Sequence, residues 1–131
     1  MRKVRVRLFS KKGVTMKKSK IDREIVYSLL RQIPRGKVTT YKILANHLHT
    51  KAYRAIGQIL KKNPHAPLVP CHRVVKSDGS IGGYSGEMTG RAITKKRYLL
   101  KAEGIFFSGN KVRDFKEVLF LFSSFLILFL G

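Results

Sequence analysis

Thr39-Thr40-Tyr41-Lys42-Ile43-Leu44-Ala45-Asn46-His47-Leu48-His49-Thr50-Lys51-Ala52-Tyr53-Arg54-Ala55-Ile56-Gly57-Gln58-Ile59-Leu60-Lys61-Lys62-Asn63-Pro64 reads as two short helices with a tight connection. Thr39 has the hydroxyl to cap a helix from about Thr40 to His47. Leu48 to Lys51 makes the turn. A second helix runs from about Ala52 to Lys62, and Asn63-Pro64 stops it. Ala55, Ile56, Ile59 and Leu60 fall on an inward face; Arg54, Gln58, Lys61 and Lys62 fall outward. Ala52 and Gly57 are small, which lets the second helix approach a groove of DNA closely. The pair fits a helix-turn-helix. A basic outer face is also what any solvated amphipathic pair shows, so the pattern alone leaves DNA contact open. The charge of the whole chain tips the balance: 28 Lys and Arg against 7 Asp and Glu give a formal +21 over 131 residues. Such an excess attracts a polyanion, with nucleic acid the first candidate and an anionic membrane surface the second.

Upstream, Ser19 to Asp22 has the Ser-x-x-acid form of a helix start. Ile21, Ile25, Val26, Leu29, Leu30 and Ile33 then recur at helical spacing, and Pro34 with Gly36 ends the helix. Residues 1–20 hold nine basic residues and no acidic one. They read as a basic arm, or as a short strand over residues 2–9 where Val4, Val6 and Leu8 alternate with Arg5 and Arg7. No apolar stretch of a secretory leader follows the charges.

Downstream, three prolines between Pro64 and Pro70 lead into Leu68-Val69-Pro70-Cys71-His72-Arg73-Val74-Val75. Cys71 is the only cysteine. One cysteine allows no internal disulfide and no multi-cysteine zinc site, and it fits a reducing, intracellular home. A lone cysteine is most often a small buried hydrophobe. A thiol becomes a nucleophile when a base removes its proton, and His72 is a base suited to neutral pH. On an extended segment the two side chains would point apart. Val74-Val75 then Ser77-Asp78-Gly79 reads as a strand and a turn. Gly79 to Gly90 holds five glycines, without the Lys-Ser/Thr ending of a phosphate loop. Thr89 can cap a last long helix over residues 90–102, with Ala92, Ile93, Lys96, Leu99 and Leu100 inward and Lys96 snorkelling at the edge. Gly104 is a C-terminal stop, and residues 105–112 make a small hairpin. The apolar run over residues 118–130 falls short of the ~20 residues a membrane-spanning helix needs. It is expected to be a helix covering an apolar face.

Several of these stretches resemble, in order and in spacing, the O6-alkylguanine-DNA alkyltransferases (methylated-DNA–protein-cysteine methyltransferases). Pro70-Cys71-His72-Arg73-Val74 resembles their active-site signature. Ile33-Pro34-Arg35-Gly36-Lys37-Val38-Thr39-Thr40-Tyr41 resembles the entry to their helix-turn-helix, and Tyr53-Arg54-Ala55-Ile56-Gly57 their recognition helix. Asn63-Pro64, Ser77-Asp78-Gly79, Gly82-Gly83-Tyr84-Ser85-Gly86 and Leu99-Leu100 with Glu103-Gly104 complete the set. The likeness runs from about Ile21 to about Phe107. It departs at Glu87, where many relatives have a second glycine, and in the short stretch before residue 21, where most relatives carry a further domain.

The resemblance implies a mainly α fold with a small β-hairpin, a winged helix-turn-helix-like alkyltransferase C-terminal domain over residues 21–115. An arm (residues 1–20) would precede it and an apolar tail (residues 116–131) follow it. It implies DNA repair by a single-turnover transfer of the alkyl (methyl) group from O6-alkylguanine, or from O4-alkylthymine, to Cys71 after the base has been flipped out of the duplex. Cys71 would be nucleophile and permanent acceptor, His72 the base acting through a water, Glu103 the group that orients His72, and Asn63 a brace for the turn. Tyr41 would donate to guanine N3 and crowd the phosphate. Tyr84 and Pro67 would wall the base pocket. The Ser85 N–H would meet O6, and the Cys71 and Val74 carbonyls would accept from the exocyclic amine. Arg54 would fill the gap left by the flipped base, with Ala52 close to the groove and Thr40, Lys42 and Ser77 at phosphates. No metal and no cofactor is called for. The partner is double-stranded DNA containing O6-alkylguanine, bound by a monomer with no stable membrane span, in the cytoplasm. Two other readings compete. One is an alkyltransferase-like lesion-binding protein without transfer. The other is a plain helix-turn-helix regulator, which leaves Pro70-Cys71-His72-Arg73 and Glu103 unexplained.

Overall fold

The computed structural model describes residues 21–87 and 89–123. The basic arm, Ser19 and the end of the apolar run lie outside them. Helix α1 (Arg23–Gln32) is capped by Asp22, whose carboxylate accepts the Glu24 N–H at 2.9 Å. It buries Val26, Leu29 and Leu30, and Ile33 follows on the same face. Ile25, expected on that face, is 51% exposed, and Tyr27 takes the inward place instead. The i, i+3, i+4, i+7 stripe of Val26, Leu29, Leu30 and Ile33 leaves Ile25 on its solvent flank. The Tyr27 hydroxyl donates to the Ile59 carbonyl at 3.1 Å, which lets a phenol be buried.

Strand β1 (Thr39–Thr40) leads directly into α2 (Tyr41–His47), and a turn joins α2 to α3 (Tyr53–Lys61). The cap of α2 is Thr40, not Thr39: Thr40 Oγ1 accepts the Ile43 N–H at 3.0 Å. Thr39 lies in the strand, and its hydroxyl donates to the Phe120 carbonyl. On α3, Ile56 and Leu60 are buried, while Ala55 is exposed rather than inward. The face that meets α1 and α2 is narrower than the sequence pattern implied.

Strand β2 (Val74–Val75) pairs in parallel with β1, Thr39 opposite Val74 and Thr40 opposite Val75. Parallel neighbours need a long crossover. Here α2, α3 and the proline-rich loop supply it. The helix-turn-helix and the cysteine turn are thereby locked to one another.

Helix α4 (Arg91–Ala102) starts at Gly90, whose φ of +81° no Thr89 cap assists, and stops before Gly104 at φ +91°. The hairpin β3 (Phe107–Ser108) and β4 (Lys111–Val112) is antiparallel, Phe107 opposite Val112. A short helix α5 (Phe115–Val118) follows. Residues 119–123 are extended, against the expected helix. Val38 donates to the Val118 carbonyl at 2.9 Å and accepts from the Phe120 N–H at 2.7 Å. The free edge beside β1 takes up the chain, and its period becomes that of a strand: Phe122 is buried and Leu121 is 63% exposed.

Two apolar clusters result. One joins α1, α2 and α3 to Val69, Cys71, Val74, Tyr84 and Phe122. The other gathers Val38, Val75, Leu100, Ile105 and Val112. Among the described residues no helix is long and apolar enough to cross a membrane.

Candidate active site

Pro70 directs the chain into a single 3-10 turn at Cys71–Arg73, where the sequence had suggested an extended segment. The Arg73 N–H bonds back to the Pro70 carbonyl at 3.0 Å. Within this turn Cys71 is 7% exposed and lines a cleft of about 660 Å³, while His72 is 1% exposed. Leu68, just before the turn, is fully outside at 87%. The support therefore begins at Val69.

Behind the cysteine lies a hydrogen-bonded triad of His72, Glu103 and Arg73. His72 Nε2 is 2.9 Å from Glu103 Oε2. Arg73 grips the same carboxylate twice, Nε to Oε1 and Nη2 to Oε2, each at 2.8 Å, and its Nη1 donates to the Ile33 carbonyl at 2.7 Å. This bidentate pairing fixes the carboxylate plane, which a point charge would not do. Glu103 stands at the C-terminal cap of α4, where the helix dipole disfavours a carboxylate. Burial would raise its pKa, but the bonds from Arg73 and His72 hold it below the ordinary value. Burial lowers the pKa of His72, against the pull of Glu103. The resting imidazole is neutral at pH 7. With Nε2–H directed at Glu103, Nδ1 carries the lone pair, and this buried atom has no partner among the described residues. Burial raises the Cys71 thiol, opposed by the Asn63 side chain and the Lys96 charge. Cys71 therefore rests as a thiol beside a neutral base.

Lys96 is the misplaced residue that matters most to the site. It is fully buried, not at an edge. Its Nζ donates to the carbonyls of Val74 at 2.8 Å, Gly83 at 2.9 Å and Ile81. Burial pulls it down to about 7, yet three acceptors match the three donors of an ammonium. It ties β2 and the glycine-rich loop to α4. Its place on the inner stripe of α4 was the available signal.

The cleft brings together Cys71, Tyr41, Lys42, Ser77, Tyr84 and Ser85. Burial and the nearby Cys71 push the Tyr41 phenol up to about 12, so it remains a proton donor. Asn63 Nδ2 donates to the Val69 carbonyl at 2.8 Å and its Oδ1 accepts the His65 N–H. It spans the loop that enters the turn. Tyr84 and Glu87 exchange backbone bonds of 2.9 and 3.0 Å around Ser85 (φ +52°) and Gly86 (φ +83°). Two positive φ values in a two-residue turn aim this loop back over the cleft; Glu87 closes it. Arg54 on α3 and Ala52 at its N-terminal cap are exposed but do not line the cleft. Thr40 is buried with its hydroxyl engaged as a cap. Val74 is buried, and its carbonyl already accepts from Lys96. Pro67 is exposed and outside the cleft lining.

A family model described as 6-O-methylguanine DNA methyltransferase, DNA binding domain, matches residues 22–105. The methylated-DNA–protein-cysteine methyltransferase of Pyrobaculum aerophilum is 46% identical over 84 residues, covering 64% of this chain and 51% of that protein. The chain thus spans about half the length of the curated relatives it matches. The O6-methylguanine-DNA methyltransferase of Pyrococcus kodakaraensis superposes with a TM-score of 0.55 at 44% identity, over 63% of this chain and 46% of that one. S. pombe Atl1, solved in complex with damaged DNA containing O6-carboxymethylguanine, gives 0.61 at 26% identity, over 75% of this chain and 93% of that one. Over residues 22–105 the cysteine turn, the triad behind it and the helix-turn-helix in front all lie within the match, and the chain belongs to the 6-O-methylguanine DNA methyltransferase DNA-binding-domain family.

Proposed function

We propose that this protein repairs DNA by moving the alkyl group of O6-alkylguanine onto Cys71 in one irreversible turnover. The observation that carries the reading is the Cys71 thiol on the wall of an open cleft, backed by His72, Glu103 and Arg73. His72 Nδ1 takes the thiol proton through a water, and Glu103 with Arg73 stabilises the imidazolium that forms. The thiolate attacks the alkyl carbon in line; the S–C bond forms as the C–O6 bond breaks. Charge developing on the departing guanine is met by a hydrogen bond donated by the Tyr41 hydroxyl, which its high pKa keeps protonated, and the proton taken from Cys71 passes from the imidazolium through water to the released guanine. The target atom lies within the base stack, so the base must rotate out into the cleft. Tyr84 packs against it there. Arg54 fills the space it leaves, through a guanidinium that can both stack and hydrogen-bond. Nothing in the site regenerates the thiol from the thioether, so the protein is consumed.

The likeness to Atl1 across nearly all of that chain supports a second reading, recognition of the lesion without transfer. Intact-protein mass after mixing with a duplex holding one O6-methylguanine separates the two. A gain of about 14 Da on the Cys71 peptide is expected for transfer. Tight lesion binding with no gain would leave recognition alone. Neither gain nor preference for the lesion would overturn both.

A further inference from the structure

The flank of α4 that carries Arg97 and Lys101 holds a second basic cluster, away from the cleft. Arg97 and Lys101 are four residues apart and so share one side of the helix. Arg113, beyond β4, joins them around a cavity of about 220 Å³ whose apolar lining is Ile105, Phe106 and Phe107. Among the described residues no carboxylate forms an ion pair with any of the three cations. Arg97 is held in place: Nη1 donates to the Gly109 carbonyl and Nη2 to Asn110 Oδ1, each at 3.0 Å, with the guanidinium 4.8 Å over the Phe107 ring. Lys101 in the last turn of α4 suits the helix dipole. Neither role accounts for Arg113, whose backbone N–H bonds to the Phe106 carbonyl at 2.8 Å and so sets it beside an aromatic ring that is 48% exposed.

Three converging cations repel one another until an anion joins them. An exposed ring beside them offers a surface for a flat, apolar group. Aromatic platforms edged by cations are how proteins hold unpaired nucleic-acid strands. We propose that the outer face of α4 and the β3–β4 hairpin form a second nucleic-acid site, which takes an unpaired stretch of DNA with a base on Phe106 and phosphates at Lys101 and Arg113. The site does not depend on transfer to Cys71.

The test is the anisotropy of a short fluorescein-labelled oligothymidylate at physiological salt, read alongside the mass gain from an O6-methylguanine duplex. Lys101→Glu with Arg113→Glu should weaken oligothymidylate binding by about tenfold, and Phe106→Ala by about fivefold. Phe106→Tyr should restore it. Transfer to Cys71 should stay within about twofold in every variant, which also reports that the fold is intact. Arg23→Glu with Arg31→Glu on α1 makes the same change in net charge and should have a small effect. Equal weakening by this control pair would overturn the proposal in favour of general attraction to a basic protein. Sensitivity to the charges with none to Phe106→Ala would overturn the stacking site.

Discussion

Lys96 on α4 reaches the Val74 carbonyl at 2.8 Å, so the last long helix holds the strand that leaves the cysteine turn. The same ammonium holds Ile81 and Gly83, which frame the glycine-rich side of the cleft. Lys96→Met keeps the stem and removes the donors. Two buried carbonyls and the half-buried one of Gly83 then lose a partner, while the cost of burying a charge disappears. The balance is expected to be a loss of about 3 kcal/mol, seen in chemical denaturation. Transfer to Cys71 should slow as well, because β2 and the loop over the cleft lose their common tie. Unchanged stability would mean that these carbonyls find other partners.

Glu103 is expected to act through His72. Glu103→Gln keeps the shape and removes the charge that stabilises the imidazolium. Single-turnover transfer should fall by about 100-fold, with affinity for the lesion-bearing duplex unchanged. Arg73→Lys should give a smaller loss of the same kind, since a single ammonium cannot hold both carboxylate oxygens. A fall in affinity equal to the fall in rate would place these residues in recognition instead.

The buried pair also sets a pH dependence. His72 has its folded pKa below the ordinary 6.5, because burial disfavours the charged form. The unfolded chain then binds more protons than the folded one below pH 6.5, and stability is lost as the pH falls through that window. Glu103, held below its ordinary 4.5, adds a loss of the same sign at lower pH. Melting temperature should be nearly flat from neutral pH down to about 6.5 and then decline. His72→Gln should flatten the upper part of the decline. Transfer should fall over the same range as His72 takes up a proton and ceases to be a base, and this limb should also vanish in His72→Gln. A transfer rate that kept climbing from pH 6 to 9 would point instead to the thiol titrating unaided.

Arg54 stands exposed on α3, outside the cleft that holds Cys71. If it replaces the flipped base, its loss matters only when there is a stack to leave. Arg54→Ala should slow transfer from a lesion in duplex DNA by about tenfold or more, and leave transfer from the free alkylated base unchanged. Equal slowing of both substrates would show damage to the site itself.

How far the sequence revealed this arrangement depended on the range of each interaction. The two helices of residues 39–62 were legible because apolar spacing and Asn63-Pro64 are local signals. The reactive cysteine was legible because Pro70 and His72 adjoin Cys71, but its 3-10 turn was read as an extended segment. The cap of α2 was misplaced by one residue, since Thr39 is drawn into a parallel pair with Val74, 35 positions away. The grip of Arg73 had no local signal because its partners, Ile33 and Glu103, are remote in the chain. Lys96 was assigned to an edge because a lysine on an inner stripe usually snorkels. Only the convergence of three backbone carbonyls, none of which has a sequence signature, makes its burial possible.

The same limit applied to the tail. An apolar run broken only by Ser123 and Ser124 has little period of its own, and the free edge at Val38 draws residues 119–123 into an extended segment through a bridge at Leu119. Phe122 is buried from there, its ring 5.1 Å from His47 on α2 and 5.2 Å from Phe120, edge to face with the latter. This segment therefore braces the first helix of the helix-turn-helix. Phe122→Ala should cost about 3 kcal/mol, the usual range for a buried phenylalanine. A chain ended after Val118 should melt well below one ended after Ser123, because it loses Phe120, Phe122 and the backbone bonds at Val38 together. The shorter chain should also bind DNA more weakly, as α2 loses the ring packed against His47. Equal melting temperatures would mean that α2 and β1 are held by α1, α3 and β2 alone.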